Sequence, residues 1–143
     1  MPRINPYLNF NGNTEEAFTF YKSVFGGEFA ILQRFSDTPY AGNVSESDKG
    51  KIMHIALPVG EGNVLMATDA LESMGQTVSP GNNFHIAIGT ESEQEATHLF
   101  NKLSAGGQIT VPLDKMFWGD YFGMLTDKFG VQWMVSYNYN QQP

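Results

Sequence analysis

The chain has 143 residues, the length of one domain or of two very small halves. Hydrophobic residues make up 41% of it and charged residues only 16%, so a sizeable core is expected rather than disorder. The net charge of -7 argues against nucleic acid or anionic lipid as the main partner, and the absence of cysteine excludes disulfides, thiolate metal sites and cysteine nucleophiles.

The sequence also predicts where the protein works. No run of about 18 apolar residues is present, so no membrane-spanning helix is expected. The first residues, Met1 to Pro6, lack the apolar stretch of a signal peptide. We therefore expect a cytoplasmic protein with no membrane partner.

The first half of the chain predicts one helix among four strands. The apolar positions of Glu15–Phe25 recur at i, i+3, i+4 and i+7, which is typical of an amphipathic helix, and they are Ala17, Phe20, Tyr21 and Val24. Asn13 is the expected N-cap and Gly26-Gly27 the stop. The predicted strands are Ile4–Phe10, Phe29–Phe35, Lys51–Val59 and Asn63–Thr68. Ser36–Gly50 has no period and is expected to be a loop.

The second half repeats this order. Ser92-Glu93-Gln94-Glu95 forms a capping box, and an apolar stripe follows at Ala96, Leu99, Phe100 and Leu103. The predicted strands are Asn83–Ile88, Gln108–Leu113, Trp118–Thr126 and Val131–Asn138. The expected fold is therefore α+β, with two tandem βαβββ modules, residues 1–72 and 73–143, in one structural domain. A hollow between two such modules would be a natural small-molecule site.

Several short motifs carry a resemblance to a known family. They are Asn9-Phe10-Asn11-Gly12, Phe25-Gly26-Gly27, Phe117-Trp118-Gly119 and Asp127-Lys128-Phe129-Gly130-Val131. With their order along the chain, they resemble the PhnB-like branch of the glyoxalase/bleomycin-resistance/dioxygenase superfamily, also called the vicinal oxygen chelate superfamily. The resemblance implies a cupped mixed sheet, a homodimer and, in the superfamily's enzymes, a metal held by the first and last strands of each module. Some members of the branch are called demethylubiquinone methyltransferases, but no glycine-rich cofactor loop follows the first strand here.

The resemblance places four residues at the metal-ligand positions. Counting back from the helices gives Pro6 and His85, and counting from the last hairpins gives Met66 and Met134. Of these, only His85 suits a hard or borderline divalent ion, because proline has no side-chain donor and a thioether is a soft, weak ligand. We therefore predict no cofactor, while a divalent metal bound through His85 stays possible.

Five side chains are candidates for a ligand or catalytic site. His54 shares a strand face with Ala56 and is a candidate base or hydrogen-bond donor, or else a packed structural histidine. Asp69, at a strand end, is a catalytic candidate or a turn cap. His85, Trp118 and Tyr121 are candidate ligand contacts, and the two aromatic residues are equally explained by core packing.

Three functions remain open on this evidence. The first is a small-molecule-binding protein without the standard metal site. The alternative is a metal-dependent lyase, isomerase or dioxygenase with a relocated site formed by His54, His85 and Asp69, which requires these side chains to converge. The third is a structural dimer without a ligand. Whether the protein is an enzyme is not decided by the sequence.

Overall fold

The computed structural model describes residues 2–140, without the side chain of Tyr40. The chain divides into two compact units, Met1–Ser79 and Pro80–Pro143. The first contains β1 (Tyr7–Phe10), α1 (Thr14–Phe25), β2 (Ile31–Arg34), β3 (Ile52–Val59) and β4 (Asn63–Asp69). The second contains β5 (Ile86–Gly89), α2 (Glu93–Ser104), β6 (Gln108–Lys115), β7 (Asp120–Thr126) and β8 (Gln132–Asn138).

Both units have the same sheet topology. The strand order is β1-β4-β3-β2 in the first and β5-β8-β7-β6 in the second. In each sheet the first strand of the unit pairs in parallel with the last, and the other neighbours are antiparallel. Each helix packs against strands of its own sheet. The predicted α+β fold with two tandem βαβββ modules is confirmed.

The core of the first unit lies between α1 and its sheet. Ala17, Phe18 and Tyr21 are fully buried on the helix. The predicted stripe included Phe20 instead of Phe18, but Phe20 is only half-buried. The ring of Phe18 meets Phe10 and Tyr21 edge-on, with ring centroids 6.4 and 5.5 Å away, so it forms the centre of an aromatic core cluster.

The N-terminus of α1 is capped from β4 and not by its own N-cap residue. Asn13 occupies the predicted N-cap position, but its side chain makes no cap hydrogen bond. Instead, Asp69 Oδ1 accepts hydrogen bonds from the backbone N–H of Thr14 (3.0 Å) and from its hydroxyl (2.6 Å). A carboxylate suits this place because the first N–H groups of a helix lack intrahelical partners and carry the positive end of its dipole.

The same carboxylate joins a third element. Asp69 Oδ2 accepts from the backbone N–H of Ile52, at the start of β3, over 2.7 Å. Asp69 is only 2% exposed, so each of these hydrogen bonds is made away from water. The carboxylate therefore ties together the end of β4, the start of β3 and the start of α1.

The segment between β2 and β3 is not the structureless loop that was predicted. It contains three short 3-10 helices, at Phe35–Asp37, Pro39–Asn43 and Glu46–Asp48. Asp48 is buried and is hydrogen-bonded to Lys51 Nζ (2.8 Å) and to the Ser73 hydroxyl (2.6 Å). The Lys51 ammonium, followed by the Ser73 hydroxyl, lowers the pKa of Asp48 from 3.8 to about 2.

The strand alternation assumed for β3 breaks at Met53. Arg34 on β2 pairs with Ile52 and Gln33 pairs with His54, so Met53 is the extra residue of a β-bulge. The extra residue of a bulge changes the face of the sheet on which the side chains beyond it lie. The periodicity of the sequence does not reveal this change. The register beyond it is regular, from Ile55 to Val59 against β4.

In the second unit, Gly123 allows close packing of α2 on β7, and Asp127 fixes the turn between β7 and β8. A Cβ at Gly123 would lie 2.7 Å from the ring of Phe100, so only glycine lets the helix approach β7 this closely. The buried carboxylate of Asp127 accepts from the backbone N–H groups of Phe129 and Val131 and from Trp133 Nε1, over 2.8–3.0 Å. The Asp-Lys-Phe-Gly-Val motif therefore holds the turn between β7 and β8.

Across the described residues, no helix is long and apolar enough to span a membrane.

Replacement of Asp69 tests the junction of α1, β3 and β4. We expect Asp69→Ala to lower the free energy of unfolding by about 2–4 kcal/mol, because it leaves buried donors of Thr14 and Ile52 without an acceptor. The measurement is urea unfolding followed by circular dichroism. Asp114→Ala, at an exposed aspartate of β6, is the control and should change the value by less than about 0.5 kcal/mol. Equal effects of the two substitutions would contradict the role of Asp69.

The low pKa of Asp48 predicts a specific acid sensitivity. A carboxyl whose pKa is depressed in the folded state stabilises it above the unfolded pKa of 3.8, and this contribution disappears as the pH falls through about 2. We expect the wild type to have a higher Tm than Asp48→Asn at pH 6. The difference should shrink between pH 4 and pH 2, as measured by differential scanning calorimetry. A difference that is constant over this range would contradict the assignment.

Candidate functional site

The first sheet has one face covered by α1 and an opposite face, called here the open face. Leu8 and Phe10 on β1 are buried towards the helix, and the residues between them alternate to the other side. Tyr7 pairs with Met66, and Asn9 pairs with Thr68 on β4. These alternate positions, together with His54 on β3, make up the open face.

Tyr7 and His54 form a hydrogen-bonded pair on this face. The Tyr7 hydroxyl lies 3.3 Å from His54 Nδ1, and the two rings stack with centroids 5.7 Å apart and planes inclined by 18°. Tyr7 is 48% exposed, so the pair is accessible. A neutral imidazole carries its proton on Nε2 or on Nδ1. With the proton on Nε2, the Tyr7 hydroxyl donates to Nδ1, so Nε2–H remains as a donor and the hydroxyl oxygen as an acceptor. With the proton on Nδ1, this nitrogen donates to the Tyr7 oxygen, so the hydroxyl proton remains as a donor and Nε2 as an acceptor.

Asp69 lies on the other side of the same sheet. It alternates with the buried Leu65 and Ala67, and its carboxylate oxygens are occupied by Thr14 and Ile52. His54 and Asp69 therefore do not converge, and Asp69 serves as a cap. The alternative that joined these residues in a relocated catalytic or metal site is not favoured.

The register of β1 also corrects the metal-ligand position inferred for the first module. Counting back from the helix gives Pro6 only if the first strand has the same register with the last strand in both modules. The open-face residue opposite Met66 is Tyr7, while the Pro6 carbonyl accepts a hydrogen bond from the Met66 N–H over 3.1 Å. In the second unit the residue opposite Met134 is Ala87, two positions after His85.

These positions do not offer the ligands of a divalent metal site. Tyrosine, alanine and two thioethers lack the imidazole and carboxylate donors that zinc, iron or nickel require, and His85 supplies one such donor. Nor does any other place within residues 2–140 bring three histidine, aspartate or glutamate side chains together in a way that could hold a metal ion. The donor chemistry of the chain therefore does not fit the superfamily's usual centre.

The candidates of the second unit have different surroundings. His85 is half-buried and directly precedes β5. Trp118 is 51% exposed, its indole N–H donates to Asp120 Oδ2 over 3.0 Å, and its ring packs edge-on against Phe122. Trp118 is thus accessible for a ligand, as predicted for a contact residue, but its role stays a prediction.

Tyr121 lies on the face of its sheet that packs against α2. Its hydroxyl is 3.0 Å from the Thr97 hydroxyl, on that helix. Tyr139 nearby donates to Glu93 over 3.0 Å, and desolvation, followed by this hydrogen bond, raises its pKa to about 12. Lys115 Nζ lies 4.7 Å from the Tyr139 ring centroid. This cluster links helix and sheet, so Tyr121 has a structural role in addition to any contact with a ligand.

An open cavity of about 560 Å³ lies within the first unit, over the end of the open face. Its polar lining consists of Asn9, Thr68, Asp69, Gln76, Thr77 and Ser79. Its apolar lining consists of Phe35, Met53, Ala70 and Val78. The volume lies within the range of about 300–1,000 Å³ that is usual for small-molecule sites.

Sequence reasoning missed Tyr7 and Asn9 as candidates. The alternation in Tyr7-Leu8-Asn9-Phe10 could have identified both, because apolar residues at every second position mark the helix-facing side. The flexible thioether of Met53 suits a pocket wall or core filling, and the sequence does not decide between the two. The place of Met53 in the cavity follows from the bulge, which depends on the pairing of β3 with β2.

Comparison with known proteins agrees with this architecture. Protein PA1353 from Pseudomonas aeruginosa, whose crystal structure is known, is 39% identical to this chain, covers 96% of it and 98% of its own length, and superposes with a TM-score of 0.85. The PhnB protein from Bacillus cereus is 28% identical over 95% of this chain and 99% of its own, with a TM-score of 0.73. Protein YjdN from Escherichia coli is 29% identical over 98% of this chain and 97% of its own length.

More distant structures show how widely the fold is shared. Glyoxalase-related and glyoxalase/bleomycin resistance protein/dioxygenase family enzymes, 16–20% identical to this chain, superpose with TM-scores of 0.60–0.63. At that identity the likeness concerns the fold alone. The sequence model of one family, described as 3-demethylubiquinone-9 3-methyltransferase, matches residues 2–136. The chain therefore belongs to this PhnB-like family, and it shares its fold with proteins of the glyoxalase/bleomycin resistance protein/dioxygenase family.

Proposed function

We propose that this protein binds a small organic molecule in the cavity of its first unit, without a divalent metal at the superfamily's usual positions. The observation that carries the proposal is the cavity itself, which combines a usual ligand-site volume with a mixed apolar and polar lining. The neighbouring Tyr7–His54 pair supports it, because it adds a donor and an acceptor on the same open face.

The chemistry that a bound molecule would undergo is not specified by these residues. Methyl transfer, which the family description names, is not proposed, because the connection Asn11-Gly12-Asn13 between β1 and α1 carries a single glycine and no glycine-rich loop. Acid–base catalysis by His54 with Asp69 lacks support because the two side chains occupy opposite faces. Binding, for sequestration or sensing, is the activity that the geometry supports best.

The wider setting is also a proposal. We infer a homodimer in the cytoplasm, as the family resemblance implies, with no nucleic acid or membrane partner. The acidic balance of the chain supports the last two points, because both of those partners require clustered positive charge. The candidate ligand contacts of the second unit remain His85, Trp118 and Tyr121. Tyr121 can contact a ligand through its hydroxyl only if its hydrogen bond with Thr97 opens.

A fragment screen by ligand-observed NMR tests the proposed function. We expect a set of neutral and charged aromatic fragments to yield hits, and Met53→Trp to abolish them, because the larger side chain fills the cavity. Met74→Trp is the matched control, since Met74 is 54% exposed and does not line the cavity. Thermal unfolding of both variants verifies that they fold. Hits that are equally strong in the two variants, or no hits at all, would contradict the proposal.

Calorimetric titration with zinc, nickel and manganese ions tests the metal-free part of the proposal. We expect no stoichiometric binding tighter than about 10 µM, because the available thioethers are poor ligands for these ions. His85→Ala should leave the titration unchanged. Tight binding with a 1:1 stoichiometry that His85→Ala abolishes would show instead that a divalent site exists.

A further inference from the structure

The charges around the cavity restrict the class of ligand that it can take, and this inference rests on the proposed function. Among the residues that line the cavity, only Asp69 has an ionisable side chain, and that side chain is turned away from the open face towards α1. Its three hydrogen-bond donors, two from Thr14 and one from Ile52, are all uncharged groups. The hydrogen-bond partners of the carboxylate therefore include no cation.

Lys51, the cation whose charge interacts with Asp69, is already engaged by another carboxylate. Lys51 is paired with Asp48 at 2.8 Å, and its pKa is raised mainly by that hydrogen bond and further by the charges of Asp48, Asp69 and Glu72. Three carboxylates thus act on one ammonium group. An anion in the cavity would find no cationic side chain among the lining residues, so the cost of its desolvation would not be offset.

The remaining lining groups suit an uncharged amphipathic molecule. Phe35, Met53 and Val78 offer an apolar wall, and the flexible thioether of Met53 adapts to the shape of a flat ring. Asn9 and Thr68, paired across β1 and β4, offer an amide and a hydroxyl at the sheet end of the cavity. The amide of Asn9 can both donate and accept. The Thr68 hydroxyl lies 3.5 Å from the carbonyl oxygens of Ile52 and Asp69, to which it donates, and its oxygen can accept from a neutral polar group of a ligand.

We propose that the cavity of the first unit is specific for uncharged ligands that combine a flat apolar body with one neutral hydrogen-bonding group, and that it discriminates against anions. The apolar body lies against Phe35, Met53 and Val78, and the polar group is bound by Asn9 and Thr68. Asp69 enforces the discrimination at a distance, while its own oxygens stay engaged with α1 and β3.

Three probes of almost the same shape and different charge test the inference. They are 2-naphthamide, 2-naphthoate and 2-naphthylmethylammonium, and their dissociation constants are measured on the full chain by naphthalene fluorescence and NMR titration. We expect 2-naphthamide to bind at least tenfold more tightly than 2-naphthoate, and more tightly than the ammonium probe, which has to lose its hydration without a free carboxylate to receive it.

Variants locate the binding. Met53→Trp and, separately, Val78→Trp should each weaken the binding of 2-naphthamide at least tenfold. Val78 lies outside the helices and strands, so Val78→Trp is the alternative if Met53→Trp does not fold. Met74→Trp should leave the affinity unchanged. Thr68→Val should weaken the amide severalfold through the loss of its hydroxyl.

The outcomes separate this inference from the proposed function. If 2-naphthoate or the ammonium probe binds as tightly as 2-naphthamide and Met53→Trp or Val78→Trp abolishes that binding, the cavity is a binding site but the proposed charge selectivity is wrong. If 2-naphthamide shows no binding that depends on the cavity variants, this inference is overturned, and the fragment screen decides independently whether the cavity binds ligands.

Discussion

The first unit depends on one buried carboxylate. Asp69 receives three hydrogen bonds from α1 and β3 while it ends β4, so it fixes where the helix begins relative to the sheet. Such a group is costly to bury alone and stabilising when every lone pair it offers finds a donor. With Asp69 turned towards the helix, its neighbour Thr68 is turned to the open face, where it lines the cavity with Asn9. The structural cap and the candidate binding residue are thus alternate positions of one strand.

The two units repeat one topology but are anchored by different polar residues. In the second unit, α2 is capped locally, since Ser92 Oγ accepts from the Glu95 N–H over 3.0 Å. A buried aspartate is used there too, but Asp127 holds the turn between β7 and β8 and not a helix end. The buried donors of each βαβββ unit need hydrogen-bond acceptors, but different residues can supply them. The two halves can therefore differ in sequence and keep the same strand order.

The open face of the first sheet carries a hydrogen-bonded pair and thioethers, which are a poor donor set for a divalent metal. At the strand pair where the family resemblance implies metal ligands, this chain pairs Tyr7 with Met66. The tyrosine hydroxyl lies 3.3 Å from His54 Nδ1, so the two side chains form a hydrogen-bonded pair at this position. The cavity beside it gains its character from Met53, Asn9 and Thr68, which suit an organic molecule better than an ion.

The sequence by itself determined the element order, the duplication and the family, because apolar periodicity and glycine stops are local properties that survive without knowledge of the partners. It also indicated that thioethers leave no usual metal centre. Tertiary structure alone decided that Asp69 caps α1 in place of Asn13, that Met53 enters a bulge and that Tyr7, not Pro6, faces Met66. Each of these depends on the register between strands distant in the chain, and a shift of one residue reverses the face on which a side chain lies.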